Sequence, residues 1–167
     1  MNRASSTPLH AIRLLVLDVD GVLTDGRLYY GPDGEELKVF DVKDGAGIKL
    51  VQRAGVTVSI ISGRRTAAVS NRCRDLGIAL LEQGCEDKVA ALERQCAQLG
   101  AAAYEALCLI DDTPDLPLAR ATGYSVAVAD AHPAVRDLVN RVTTQPGGRG
   151  AVREVCDWLV AARGARR

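Results

Sequence analysis

The chain lacks an excess of charge of either sign, paired cysteines and long apolar runs, and each shortage removes a class of function. Its 21 basic and 21 acidic residues cancel, so no whole-molecule field draws it to nucleic acid or an anionic membrane, and any phosphate must be recognised locally. Five cysteines (Cys73, Cys85, Cys96, Cys108 and Cys156) form an odd set without a Cys-x-x-Cys pair, which argues against both a disulfide framework and a zinc knuckle. Buried reduced thiols are expected instead. The first eight residues hold no apolar stretch long enough for a signal peptide, and no run elsewhere approaches membrane-spanning length. A cytoplasmic protein with no nucleic-acid or membrane partner is therefore the expectation. Internal repeats, low-complexity tracts and linkers are absent too. The 167 residues, 47% hydrophobic and 25% charged, are expected to form a single domain over 1–167, with residues 1–10 flexible.

What is present is an alternation of apolar runs, bounded by Gly, Asp or Ser, with stretches of helical period, the pattern of repeated βα units. Strands are predicted near 12–17, 56–61, 78–81, 107–110 and 125–128, in a mainly parallel sheet. The clearest helix is 88–99, where Val89, Leu92, Cys96 and Leu99 make an apolar stripe and Gly100 stands where a helix would stop. Residues 151–163 are similar. One segment breaks the alternation: residues 28–40 read as two short strands joined by Pro32-Asp33-Gly34, a β-hairpin inserted after the first strand within 27–41. An isolated two-stranded ribbon is marginal in water, so Tyr29, Tyr30 and Phe40 are expected to cover the site or meet another subunit.

The most informative stretch runs Leu14-Leu15-Val16-Leu17-Asp18-Val19-Asp20-Gly21-Val22-Leu23-Thr24-Asp25-Gly26. If its apolar part is a buried strand, the pleat turns alternate residues to one side, so Asp18 and Asp20 face one another at the carboxyl end. Carboxylates held that close repel unless a divalent cation or a shared proton offsets them. Gly21 lets the chain turn sharply, exposing N–H groups beside them. Three later signals fall where an open parallel sheet places its ligands. Ser62, Gly63 and Arg64 offer a hydroxyl, a backbone N–H and a guanidinium, although Ser62 alone reads rather as a plain helix N-cap. Lys88 opens a helix whose N-terminus is already positive, which asks for an anionic partner. Asp111, Asp112 and Asp115 form an oxygen-rich cluster suited to a hard cation such as Mg²⁺.

In this order the motifs resemble those of the haloacid dehalogenase (HAD) superfamily phosphatases, and most closely the capless group that contains 3-deoxy-D-manno-octulosonate 8-phosphate (KDO 8-phosphate) phosphatase. Further matching stretches are Gln83-Gly84, Ser125-Val126-Ala127-Val128-Ala129-Asp130-Ala131-His132-Pro133 and Gly147-Gly148-Arg149-Gly150-Ala151-Val152-Arg153-Glu154. The resemblance implies a Rossmann-like, three-layer α/β fold without a large cap domain. It implies Asp18 as nucleophile and Asp20 as the acid, then base, of a two-step phosphomonoester hydrolysis. It also implies Mg²⁺ held by Asp18, the backbone carbonyl of Asp20, and Asp111, with Ser62 and Lys88 on the phosphoryl oxygens. Lys43, Arg64 and Gly63 are candidate contacts to a phosphorylated sugar acid, with KDO 8-phosphate the expected substrate and a nine-carbon acid phosphate the alternative. A homotetramer with hairpins packed together is implied as well. One departure stands out, since the family's acidic motif usually opens with Gly and this chain has Ile110. If that position is extended, isoleucine fits and Asp111 keeps its direction; if not, metal affinity suffers. A catalytically silent assembly module is the rival reading, and Ile110 is the feature that favours it. A phosphorylation-switch receiver domain orders its residues differently, with the late acidic pair here following Lys88.

Overall fold

An uninterrupted aliphatic run suits a strand covered on both faces, and the computed structural model, which describes residues 6–34 and 36–165, has Leu14–Leu17 fully buried as β1. Next come β2 (Tyr29–Tyr30) and β3 (Glu36–Leu37), α1 (Val42–Arg53), β4 (Thr57–Ser62), α2 (Ala67–Leu76), β5 (Leu80–Gln83) and α3 (Lys88–Leu99). The chain continues through β6 (Ala106–Ile110), α4 (Leu116–Ala121), β7 (Tyr124–Ala127), α5 (Pro133–Arg136), β8 (Arg141–Val142) and α6 (Ala151–Gly164). Six strands form one parallel sheet in the order β5-β4-β1-β6-β7-β8. The chain leaves β1 towards β4 on one side and reaches β6 on the other, so the carboxyl end of β1 lies at the switch point where α/β sheets bind ligands. The two-stranded β2-β3 hairpin stands apart from this sheet.

Local signals account for the best-placed elements. Asp87 caps α3 by accepting from the N–H groups of Val89 and Ala90, and Gly100 ends it in the left-handed conformation, so the predicted helix 88–99 is matched at both ends. The predicted strands recur with small shifts: the first begins at Leu14, and the third lies at 80–83 rather than 78–81. Two-residue β8 carries no apolar pattern of its own. Helix α1 is obscured in the sequence by Gly45 and Gly47, poor helix formers. Packing explains them: a Cβ on Gly47 would lie 2.9 Å from Cδ of Arg153, so glycine lets α1 approach α6 closely. Buried Asp44 joins the same two helices by accepting from the N–H groups of Gly150 and Arg153, which caps an α6 that has no side-chain cap of its own.

Of residues 1–10, positions 1–5 lie outside the described residues. Thr7 is fastened to the body, donating from its N–H to the Gly123 carbonyl and from its hydroxyl to the Tyr104 carbonyl. All five cysteines are free thiols, four of them buried. No helix among the described residues is long and apolar enough to cross a membrane. Ile110 is buried as the last residue of β6, and among the described residues only glycines have positive φ. The position is therefore extended, and the Gly-to-Ile departure leaves the direction of Asp111 intact.

Candidate active site

Every strand that contributes to the site does so at its carboxyl end. Asp18 follows β1 directly and extends the ladder, donating its N–H to the Leu109 carbonyl at 3.3 Å. The chain then closes a tight loop in which the N–H groups of Val22, Leu23 and Thr24 all point at the Val19 carbonyl. Gly21 in this loop has φ +82°, and a Cβ there would sit 2.0 Å from Oδ2 of Asp111. Only glycine permits both that backbone and that approach. The loop is braced from outside by Gly147, whose N–H donates to Asp130 and whose hypothetical Cβ would fall 1.7 Å from the Gly21 carbonyl oxygen.

A cavity of about 340 Å³ opens here, lined among others by Asp18, Asp20, Ser62, Arg64, Lys88 and Asp111. Gly63, Asp112 and Asp115 line it as well, so nearly all the candidate site residues of the sequence meet in one place. Lys43 does not. It sits exposed on the first turn of α1 and lines a different hollow beside α6, because its helix is tied to α6 through Asp44. The expectation that the strand pleat pairs Asp18 with Asp20 also needs correction, since β1 ends at Leu17 and a loop, not a pleat, sets both side chains. The carboxylates whose oxygens come within 4.8 Å of one another are Asp18, Asp111 and Asp115.

Lys88 answers these anions. Its Nζ lies 3.1 Å from Asp18 and 2.7 Å from Asp115, which supplies the anionic partner that its place at a helix N-terminus demanded. Burial lowers the affinity of such an ammonium for its proton, but Asp18 and Asp115 outweigh that and its pKa is raised. Three carboxylates against one ammonium leave an excess of negative charge largely withdrawn from water. Burial, opposed by Lys88 and reinforced by Asp115, pushes the Asp18 carboxyl up to about 8. Burial together with Asp115 and Asp112 pushes Asp111 up to about 7. A clustered oxygen donor set that resists ionising without a counter-charge fits a hard divalent cation.

A stability prediction follows for the metal-free protein. An unfolded aspartate titrates near 3.8, whereas folded Asp18 and Asp111 hold their protons to about 8 and about 7. Between those limits the folded chain binds protons that the unfolded chain has released, so stability falls as pH rises. Heated in a chelator, the protein should melt about 5 °C lower at about pH 8 than at about pH 5.5, and excess Mg²⁺ should abolish the difference. Equal melting temperatures at both pH values without metal would remove the account of the buried carboxylates.

Two residues that the sequence reading passed over also reach the site. Lys38 and Glu36, on the hairpin, pair with each other at 2.6 Å; Lys38 also contacts Oδ1 of Asp20, and Glu36 contacts Nη2 of Arg64 at 2.6 Å. Asp115 was legible as one of three clustered acids but had no assigned partner. Ser62, buried at the end of β4, accepts from the Arg64 N–H at 3.3 Å. The carbonyl of Asp111 accepts from the N–H of His132 at 2.8 Å, and His132 Nδ1 in turn caps α5.

No family model matches the chain. It is 48% identical over 158 residues to 3-deoxy-D-manno-octulosonate 8-phosphate phosphatase KdsC of Salmonella typhi, an alignment covering 95% of this chain and 84% of that protein. The crystal structure of the Yersinia pestis 3-deoxy-D-manno-octulosonate 8-phosphate phosphatase superposes with a TM-score of 0.92 at 44% identity, covering 94% of this chain and 85% of the other. The Moraxella catarrhalis phosphatase of the same name, in complex with magnesium ion, phosphate ion and KDO, superposes with a TM-score of 0.91 at 37% identity over 94% of this chain and 90% of that one.

Proposed function

The chain belongs to the 3-deoxy-D-manno-octulosonate 8-phosphate phosphatase family of the HAD superfamily, and from that premise we infer that it hydrolyses KDO 8-phosphate to KDO and inorganic phosphate with Mg²⁺ as cofactor. The single observation that carries the reading is the convergence of Asp18, Asp111 and Asp115 with Lys88 in the cavity at the switch point of the sheet. Asp18, Asp111 and the backbone carbonyl of Asp20 are the proposed metal ligands. Bound magnesium supplies positive charge to the phosphoryl oxygens and to the carboxylates themselves.

In the proposed mechanism an Asp18 carboxylate oxygen attacks phosphorus. The bond from phosphorus to the sugar oxygen breaks, its electron pair stays on that oxygen, and Asp20 delivers the proton that makes it an alcohol. Asp20, now a carboxylate, takes a proton from water as the water attacks the phospho-aspartate, which returns Asp18 and releases phosphate. Lys88, Ser62 and the backbone N–H groups of the loops bind the three phosphoryl oxygens. Lys88 is already charged and already aimed at Asp18, so little reorganisation is needed. Gly63 and Arg64, on the rim of the cavity, are proposed contacts to the sugar acid, with the guanidinium suited to its carboxylate.

The hairpin supports a homo-oligomer, with a tetramer as the proposal: Tyr30 is 61%, Leu37 59% and Val39 64% exposed, more apolar surface than a lone two-stranded ribbon keeps in water. A sedimentation mass equal to one chain would remove that part. A cytoplasmic location is proposed with it.

Phosphate release with Mg²⁺, measured over a panel of phosphorylated sugar acids that includes eight- and nine-carbon substrates, tests the activity. The highest kcat/KM is expected on KDO 8-phosphate. A nine-carbon acid phosphate ranked first changes the substrate, and comparable rates on simple phosphate esters remove the case for a dedicated biosynthetic enzyme.

A further inference from the structure

Asp20 closes a ring of four charged side chains with Lys38, Glu36 and Arg64. Lys38 Nζ contacts Asp20 Oδ1 and lies 2.6 Å from Glu36 Oε1. Glu36 Oε2 lies 2.6 Å from Arg64 Nη2, and Arg64 Nε lies 4.0 Å from Asp20 Oδ2. The signs alternate around the ring. Tyr30, on the other hairpin strand, accepts from Arg64 Nη2 at 3.3 Å.

Lys38 is the unusual member. Its side chain is only 1% exposed, and an ammonium so far removed from water is retained only where carboxylates compensate it. Asp20 and Arg64 line the cavity, whereas Lys38 and Glu36 do not. Lys38 therefore grips Asp20 from the side away from the reacting groups. One carboxylate oxygen, Oδ1, is engaged, and the carboxylate plane is fixed. The other oxygen, Oδ2, has among the described residues only the distant Arg64 nitrogen as a charged neighbour and is available for proton transfer.

We propose that Lys38 is a positioning residue for phosphoryl transfer: reaching in from the hairpin, it orients the Asp20 carboxyl so that Oδ2 meets the departing sugar oxygen, while Glu36 and Arg64 complete the ring. The proposal rests on the reading of Asp20 as general acid given above. The balance of the step is unchanged by it: the phosphorus–oxygen bond breaks, its electron pair remains on the sugar oxygen, and the proton comes from Asp20. Lys38 does not line the cavity and acts through Asp20. The hairpin thereby becomes part of the catalytic apparatus, because the acid is aligned only while β2 and β3 are seated.

A merely structural clip and a positioning residue differ in their dependence on the leaving group. An alkyl phosphate needs its leaving oxygen protonated, whereas p-nitrophenolate departs without a proton. The first chemical step governs kcat/KM for both, so later hydrolysis of the phospho-aspartate does not blur the comparison. With Mg²⁺ saturating, Lys38→Met is expected to lower kcat/KM on KDO 8-phosphate about 100-fold and on p-nitrophenyl phosphate less than about fivefold, the split shown by Asp20→Asn in a stronger form. Lys38→Arg should recover activity to within about tenfold of the parent. Equal losses on both substrates, or no loss on either, overturn the proposal. If Lys38→Met does not fold, Glu36→Gln carries the same comparison, with a loss of about tenfold expected on the sugar phosphate alone. Absence of the split in Asp20→Asn sinks the general-acid reading, and an inactive parent enzyme sinks the proposed function; a split in Asp20→Asn without one in Lys38→Met overturns only the role of Lys38.

Discussion

Asp18→Asn is expected to lower kcat on the order of 10⁵-fold while making the metal-free protein harder to melt. The two effects have one cause. The Asp18 carboxylate is the only proposed nucleophile, and an amide cannot replace it, so turnover falls to what binding and electrostatics alone supply. The same carboxylate is largely buried, within 4.8 Å of Asp115 and Asp111, and desolvation holds its pKa up to about 8 against the attraction of Lys88. Asparagine removes that buried charge, leaves Asp115 to hold Lys88 at 2.7 Å, and retains an oxygen for the Val19 N–H, which now donates to Asp18 Oδ1 at 2.7 Å. A rise of about 5 °C in the melting temperature without metal at about pH 7.5 is expected. Mg²⁺ should then stabilise the variant less than it stabilises the parent, because one ligand is gone. A variant that is inactive but melts lower without metal would point to a structural collapse and remove the electrostatic explanation.

Gly21→Ala is expected to reduce kcat/KM at least about 100-fold, with weakened Mg²⁺ binding, although no functional group is lost. The substitution imposes two separate costs. Alanine at φ +82° carries a backbone penalty of roughly 1–2 kcal/mol, and its methyl would lie 2.0 Å from Asp111 Oδ2, a distance no carboxylate can keep. Asp111 must move, and the metal-binding arrangement moves with it. Gly100→Ala separates the two costs. Gly100 ends α3 at φ +60° with nothing within 4 Å of an added Cβ, so that variant should lose comparable stability and keep its kinetics. Urea denaturation and steady-state assays on both variants check this. If Gly21→Ala is as active as Gly100→Ala, the close approach of the loop to Asp111 does not matter for catalysis.

Much of this site was legible because charged residues at strand ends are costly unless something compensates them. Lys88 at a positive helix end announced an anionic partner, and the partners proved to be Asp18 and Asp115. Asp18, Asp20, Ser62, Arg64 and Asp111 share a cavity because a parallel sheet delivers all its carboxyl ends to one edge. Ile110 raised a doubt that its extended backbone answers. Lys43 lies outside the cavity because its proximity to the acidic loop in sequence says nothing about the face its helix presents, and α1 turns it towards α6. Helix α1 itself went unread, because glycines that oppose helix formation locally are required where α6 packs against it.

Residue type and short-range spacing were sufficient for the βα alternation, the ends of α3, the hairpin and the list of reactive groups, because caps, turns and apolar periodicity act within a few residues. Which carboxylate meets which cation had to wait for the folded chain. Asp115 joining Asp18, the loop being shaped by Gly21 pressing on Asp111, and Lys38 closing on Asp20 from the hairpin are contacts between segments 18 to 97 residues apart. Their energies depend on burial and distance, and neither quantity exists until the sheet has assembled.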